Sequence, residues 1–291
     1  MNKLTIEKGN EKYELLVEQY KIIIGSHYQR MFTMQQIIKM YFETTKYSEY
    51  SEEVSGIPII KINDQMIKTK DYMFFQVNKY YSLENDFKMN AKSLILRYLE
   101  TVLNNNELKE TIQTIEYLFE SLSYELSENS FINGNFLNMT SKQLCKLLLP
   151  SYIENDYKKN EYDLTIEDII IFQLKLMQYI INQDTKYTDS ILCIEIPELT
   201  KQILDEIKQL HSHYILIFTN KWNDVEFSSH NYYICENECL DIASEDMLYR
   251  VICDNSYRLL TLKEGKEYME KYLFDQEHEY TRFIKQILIS I

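Results

Sequence analysis

The segment from Tyr20 to Phe42, YKIIIGSHYQRMFTMQQIIKMYF, comes closest in this chain to a known chemistry. An apolar strand over Lys21–Ile24, a turn at Gly25 and an amphipathic helix carrying Met34, Ile37, Ile38, Met40 and Tyr41 form the strand–loop–helix context of a phosphate-binding loop. In a working loop, G-x-x-x-x-G-K-[ST], backbone amides wrap the phosphates, the lysine neutralises their charge and the hydroxyl holds magnesium. Counted from Gly25, Arg30 stands at the second glycine, Met31 at the lysine and Phe32 at the hydroxyl. Arg30 can supply charge, but Phe32 cannot ligate a metal. Taken alone, an ordinary strand–turn–helix explains the segment at least as well.

A second segment shifts that balance. Ser190–Leu199, SILCIEIPEL, is an apolar strand ending in Glu195, with Glu198 just beyond. Nucleotide-binding folds keep their metal-orienting acid at such a strand end. A helix over Glu198–Leu210 and a strand over Tyr214–Thr219 follow, the pattern of a parallel crossover. Together the two segments favour a degenerate nucleotide-binding core. A metal-hydrolase cluster of His211 and His213 with Glu195 and Glu198 is a lesser reading, because turns between helix and strand are polar anyway. Cys235, Cys239 and Cys253 fall short of a four-ligand zinc site.

These residues need elements to hold them. Up to about Leu83 short apolar runs alternate with turns: Tyr13–Val17, Lys21–Ile24, Ile57–Ile62 and Tyr72–Val77 read as strands, with one helix from about Thr33 to Thr44. From Asn90 to Asn182 the period is helical. Leu94, Ile95, Tyr98, Leu99 and Val102 make one stripe, and Ile112, Ile115, Leu118, Phe119 and Leu122 the next, after the break at Asn104–Asn106. A third helix, Thr165–Asn182, opens on the capping-box-like Thr165 and Asp168. Long helices with short breaks suggest an antiparallel bundle. After about Thr185 the strand–helix–strand pattern resumes, and Leu273–Ile291 reads as helix. The simplest architecture is α/β: a head over 1–84, a helical insertion over 85–185, and the rest of the head with C-terminal helices over 186–291.

Composition sets outer limits. With 291 residues, 45% of them hydrophobic, the chain is globular and can bury a substantial core. No apolar run approaches the roughly 20 residues that span a bilayer. The start, MNKLTIEKGNEKYELL, lacks the apolar stretch of a signal peptide, and five scattered cysteines suggest free thiols in a reducing cytoplasm. Net charge is −14, against nucleic-acid binding on its face, yet distribution matters more than the total. Lys61, Lys68, Lys70, Lys79, Lys88 and Lys92 fall within one stretch, while residues 223–255 carry eight acids against the single base Arg250.

In this order the segments resemble the Csn-two family of CRISPR-associated proteins, the adaptation factors of type II-A systems, and particularly its longer branch. The resemblance rests on YKIIIGSHYQRMF leading into a helix, on KYSEYSE at Lys46–Glu52, on Lys92–Leu126 and on Ser190–Asn220, co-linear over most of residues 10–260. It implies a head like an ATP-binding-cassette ATPase, a degenerate P-loop-like domain without nucleotide motifs, with an α-helical leg inserted in it. It further implies a ring of four subunits, a homotetramer, encircling double-stranded DNA ends and assisting spacer acquisition with the integrase complex and the type II effector nuclease. No catalytic activity is implied for the ring, nor any contact with a membrane. Binding through phosphates needs lysines on a concave wall and little base reading. From charge clustering, Lys61, Lys68, Lys70, Lys79, Lys88 and Lys92 are the candidates, although each is also an ordinary solvent-facing position.

Shorter members of that family hold calcium in an acidic stretch after the first long leg helix. The corresponding place here offers only Glu125 and Glu128, followed by FINGNFLNMT, which has no carboxylate. Calcium takes 6–8 oxygens, so these are weak candidates. The alternative to a DNA-binding ring is an acidic protein-interaction scaffold that binds no DNA.

Overall fold

The computed structural model describes residues 1–43, 56–128, 136, 140–154, 156–221, 228–253, 260–274 and 279–290. Lys46–Glu52, Thr44 and parts of the acidic stretch 223–255 lie outside these. The chain divides into two compact units, residues 1–79 with 186–291, and residues 80–185.

The first unit begins with an antiparallel pair, β1 (Asn2–Lys8) and β2 (Glu11–Val17), joined across Gly9 at φ 58°. Alternating Leu4 and Ile6 face Tyr13, Leu15 and Val17 in the core. The sequence reading passed over β1. Next come β3 (Tyr20–Ile24), the helix α1 (Tyr28–Phe42), the strands β4 (Ile59–Ile62) and β5 (Gln65–Met66), and β6 (Tyr72–Asn78). After the second unit follow β9 (Asp189–Glu195), α7 (Lys201–Lys208), β10 (Tyr214–Phe218), the hairpin β11 (Tyr232–Cys235) and β12 (Cys239–Asp241), and α8 (Glu245–Leu248). A π-turn over Tyr249–Cys253 leads to α9 (Leu262–Phe274) and α10 (Glu279–Ser290).

Among the described residues these strands form two sheets. One is ordered β2-β1-β4-β5, the other β12-β11-β3-β10-β9-β6. In the second, β11, β3, β10, β9 and β6 run parallel, and only β12 is antiparallel. Parallel strands covered on both faces read as continuous apolar runs, and Ile191–Ile194 and Tyr214–Phe218 are buried throughout. The α/β class follows directly.

Helix α1 starts at Tyr28, five residues before the expected Thr33. Its cap is His27, whose Nδ1 accepts from the Arg30 amide at 3.4 Å. Histidine is not among the preferred capping residues, so the start left no usual signal.

The second unit holds α2 (Leu83–Asp86), α3 (Leu94–Leu103), α4 (Lys109–Glu128), α5 (Ser141–Cys145), a small hairpin of β7 (Tyr152–Glu154) and β8 (Tyr157–Lys159), and α6 (Ile166–Gln183). The hairpin departs from the purely helical expectation; it turns through Asp156 at φ 66°. Asp86 caps α3 by accepting from the Leu94 and Ile95 amides at 3.1 and 2.8 Å. The Thr165–Asp168 capping box opens α6, whose Ile170, Ile171, Leu174, Met177 and Ile180 are buried. Helices α3 and α6 pack together, with Tyr98 edge-on to Tyr179 at 5.0 Å. By contrast α4 keeps its apolar stripe largely open: Leu118 is 65% exposed, Leu122 42% and Leu126 51%. A closed bundle of all the long helices is therefore not what forms. Among the described residues no helix is long and apolar enough to cross a membrane.

Candidate functional site

The turn between β3 and α1 contains only Gly25, Ser26 and His27. Arg30 and Met31 therefore lie on the first turn of the helix and Phe32 opens the second, which leaves a three-residue turn too short for a loop that wraps a ligand. Gly25 sits at φ +146°, and a Cβ there would meet the Cys235 carbonyl oxygen at 2.0 Å. The β11–β12 hairpin is pressed onto the turn, so glycine serves protein packing here rather than phosphate approach.

What the turn's donors hold is a carboxylate of the same chain. The Ser26 amide donates to Glu236 Oε1 at 3.0 Å, and the Ser26 hydroxyl donates to Glu236 Oε2. Glu236 is 7% exposed. The Tyr272 hydroxyl reaches Glu236 Oε1 at 3.5 Å, and burial with this carboxylate pushes the Tyr272 phenol up to about 12. Arg30 Nη1 donates to the backbone oxygens of Glu236, at 3.2 Å, and of Asn237. Both donors of Ser26, just before the helix cap, are thus taken by Glu236.

Beside the turn, at the C-terminal ends of β6, β9 and β10, lies a cavity of about 240 Å³. Met31, Phe32, Lys79, Glu195 and Thr219 are among the residues lining it. Ligands of open α/β sheets bind at this edge. The structure thus brings Met31 and Phe32 of the first segment to Glu195 of the second, with Lys79, which follows the β6 residue paired with Glu195. Met31 points into the core at 5% exposure while Phe32 faces out at 55%. Arg30 is turned toward the hairpin instead.

The other candidates are dispersed. His213 precedes β10 and its Nδ1 pairs with Asp189 Oδ2 at 2.8 Å, at the start of β9, whereas Glu195 ends the same strand roughly 20 Å away. The proposed cluster of His211 and His213 with Glu195 and Glu198 is not assembled, because helix-to-strand turns and strand ends fall on opposite edges of a parallel sheet. Among the described residues no three His, Cys, Asp or Glu side chains are grouped to hold a metal. Glu125 is exposed near the end of α4, and the Glu128 side chain lies outside the described residues. Most of the stretch after them that would complete a calcium site, residues 129–139, also lies outside the described residues.

Of the six lysines, Lys61 on β4 pairs with Glu7 at 3.0 Å. Lys68 and Lys70 are exposed before β6, and Lys79 follows its end, so Lys70 and Lys79 are separated by a strand of roughly 23 Å. Lys88 and Lys92 belong to the other unit, both exposed, with Lys88 Nζ donating to Asn85 Oδ1 at 2.6 Å. Within the first unit, Lys61 is thus engaged by Glu7, and Lys70 and Lys79 flank opposite ends of one strand.

Two long-range contacts have no local signal in the sequence. Glu236 contacts residues about 210 positions earlier, and nothing local marks it. The second is the buried pair Lys21–Asp241, at 2.5 Å and 220 positions apart, which no local pattern marks.

No protein-family model matches the chain, and no curated protein matches its sequence. Among solved structures it is similar in fold to Stu0660 of Streptococcus thermophilus, at 15% identity and a TM-score of 0.68, over 99% of this chain and 93% of that one.

Proposed function

We propose that this chain is a non-catalytic, cytoplasmic, double-stranded DNA-end-binding protein that assembles as a homotetrameric ring. In this reading it assists spacer acquisition in a type II-A CRISPR system, with the integrase complex and effector nuclease as partners. The observation that carries the proposal is Glu236. A head whose phosphate-type turn is filled by its own buried carboxylate has given up nucleotide chemistry, as the resemblance to the Csn-two family implies. Two further supports stand beside it. The likeness to Stu0660 extends over nearly the whole of both chains, so it takes in the head and the helical insertion alike. The open stripe on α4, with Leu118, Leu122 and Leu126, offers an apolar face for contact between copies.

A second reading is an acidic protein-interaction scaffold. It is favoured by the net charge of −14 and by the placement of Lys70 and Lys79 at opposite ends of β6. One experiment separates the two: gel-shift of linear against covalently closed circular duplex of equal length, at low and high salt, with the mass in solution measured alongside. Retention on linear DNA alone, lost as salt rises, with a mass near four chains, supports the ring. A stable monomer, or no binding to either form, leaves the scaffold.

A further inference from the structure

The β11–β12 hairpin that carries Glu236 also carries two cysteines facing each other. Cys235 and Cys239 are directly opposed in the antiparallel register. Backbone hydrogen bonds join Glu236 to Glu238 and Ile242 to Tyr232, and antiparallel pairs alternate, so Cys235↔Cys239 is a non-hydrogen-bonded pair. Such pairs have Cα atoms about 4.5 Å apart with side chains closest, inside the window of about 4.4–6.8 Å that a disulfide requires. The two sulfurs are 3.6 Å apart, so both are thiols, and bond formation needs a closure of about 1.5 Å.

The two thiols have different surroundings. Cys239 is half-buried, and Arg30 Nη1 lies 3.7 Å from its sulfur. Cys235 is fully buried behind it. The hydrogen bond from Cys235, followed by those from Tyr233 and Arg30, pulls the Cys239 thiol below the usual cysteine range. The same hydrogen bond, together with burial, pushes Cys235 above it. One cysteine is set up to attack and the other to resolve.

We propose that Cys235 and Cys239 form a peroxide-sensitive dithiol, with Cys239 the attacking and Cys235 the resolving sulfur. The Cys239 thiolate attacks one oxygen of a hydroperoxide; an S–O bond forms, the O–O bond breaks, and the leaving oxygen departs as water or alcohol after protonation. The Cys235 sulfur then attacks the sulfenic sulfur; the S–S bond forms, the S–O bond breaks, and hydroxide leaves with the Cys235 proton as water. Two electrons pass from the dithiol to the peroxide. Oxidation removes the Cys239 thiol beside Arg30 and ties the hairpin next to Glu236, so the change is felt at the β3–α1 turn. This inference does not rest on the DNA-binding reading.

The test uses the reduced full-length chain treated with hydrogen peroxide, followed by intact mass and peptide mapping without reductant. Trypsin leaves both cysteines in the single peptide 222–250 and the other three in different peptides. The expected result is a loss of two hydrogens confined to peptide 222–250 and reversed by dithiothreitol. With Cys235→Ser, dimedone should trap a sulfenic acid at Cys239. With Cys239→Ser, oxidation of Cys235 should slow by at least about tenfold. An unchanged mass, oxidation centred on Cys145, Cys193 or Cys253, or equally fast oxidation of Cys235 in Cys239→Ser would overturn the proposal. The measurement on the unmodified chain stands even where a variant fails to fold.

Discussion

Lys21 shows how much one side chain can hold together. Its ammonium is fully buried and donates to Leu16 O at 3.0 Å, His230 O at 2.8 Å and Asp241 Oδ1 at 2.5 Å. Asp241 in turn accepts from the Leu16 and Ala243 amides at 2.6 and 2.9 Å. Burial presses against both charges, pulling the Lys21 ammonium below its ordinary range and Asp241 above it, and their mutual attraction opposes this. Removing one partner leaves the other charged and unpaired in the core. Lys21→Met should therefore cost about 3–5 kcal/mol in denaturant unfolding, and Lys21→Met with Asp241→Asn, which removes the unpaired charge and keeps an acceptor for the two amides, should recover part of it. Full stability in the single variant would show that water reaches Asp241. Gly25 makes a second case at this scale. Alanine there would meet a backbone oxygen at 2.0 Å in a conformation that side chains avoid, so Gly25→Ala should cost roughly 2–3 kcal/mol in the same assay. The glycine was legible in the sequence as a turn. Its reason was not, because Cys235 comes some two hundred residues later.

Local patterns decided most elements, and the failures have identifiable causes. The runs at Lys21–Ile24, Ser190–Glu195 and Tyr214–Phe218 became central strands because they are almost wholly apolar, and the buried Lys21 ammonium has three partners of its own. The Thr165–Asp168 box opens α6 as read, with the Thr165 amide donating to Asp168 Oδ2 at 2.9 Å and the Asp168 amide to Thr165 Oγ1 at 3.1 Å. Helix α1 was placed late because its cap is a histidine, and β1 was missed although Leu4 and Ile6 alternate before the Gly9 turn. The stripe of α4 was legible as a helix, but its partner was not, since periodicity says which face is apolar and not what covers it. The capping box allows a pH argument. Hydrogen bonds from Thr165 hold the Asp168 carboxyl below its ordinary value of 3.8. A depressed folded-state value means that the contribution is present above that ordinary value and is lost as pH falls through the depressed one. Asp168→Asn should thus destabilise by roughly 0.5–1 kcal/mol at neutral pH, with the gap to the unmodified chain closing in acid. A gap that persists unchanged at low pH would assign the effect to packing rather than charge.

At the scale of the whole molecule the question is how a chain of charge −14 could hold a polyanion. Phosphate contacts release counterions, so the logarithm of affinity falls with the logarithm of salt by about 0.9 per contact. That slope counts lysines on DNA without needing their geometry, and it reports assembly as well. If one chain binds alone, Lys70→Gln removes one contact and lowers the slope by about 0.9. If four copies surround the duplex with Lys70 inward, the same substitution removes up to four contacts and lowers it by up to about 3.6. Lys79→Gln makes the contrast, because it stands at the other end of β6. Both substitutions lower the slope only where β6 runs along the duplex; where it crosses the duplex, one does and the other does not. For the ring we expect Lys70→Gln, with the mass in solution unchanged, to shift the slope by well over one unit. Leu118→Glu with Leu122→Glu, placed on the open stripe of α4, should reduce the mass and bring the Lys70 effect down to the single-chain value. A slope that neither lysine alters would exclude both from the proposed DNA contact. A Lys70 effect that stays large after the assembly is broken would mean that one chain carries several contacts at once, and the ring would not be needed to explain the binding.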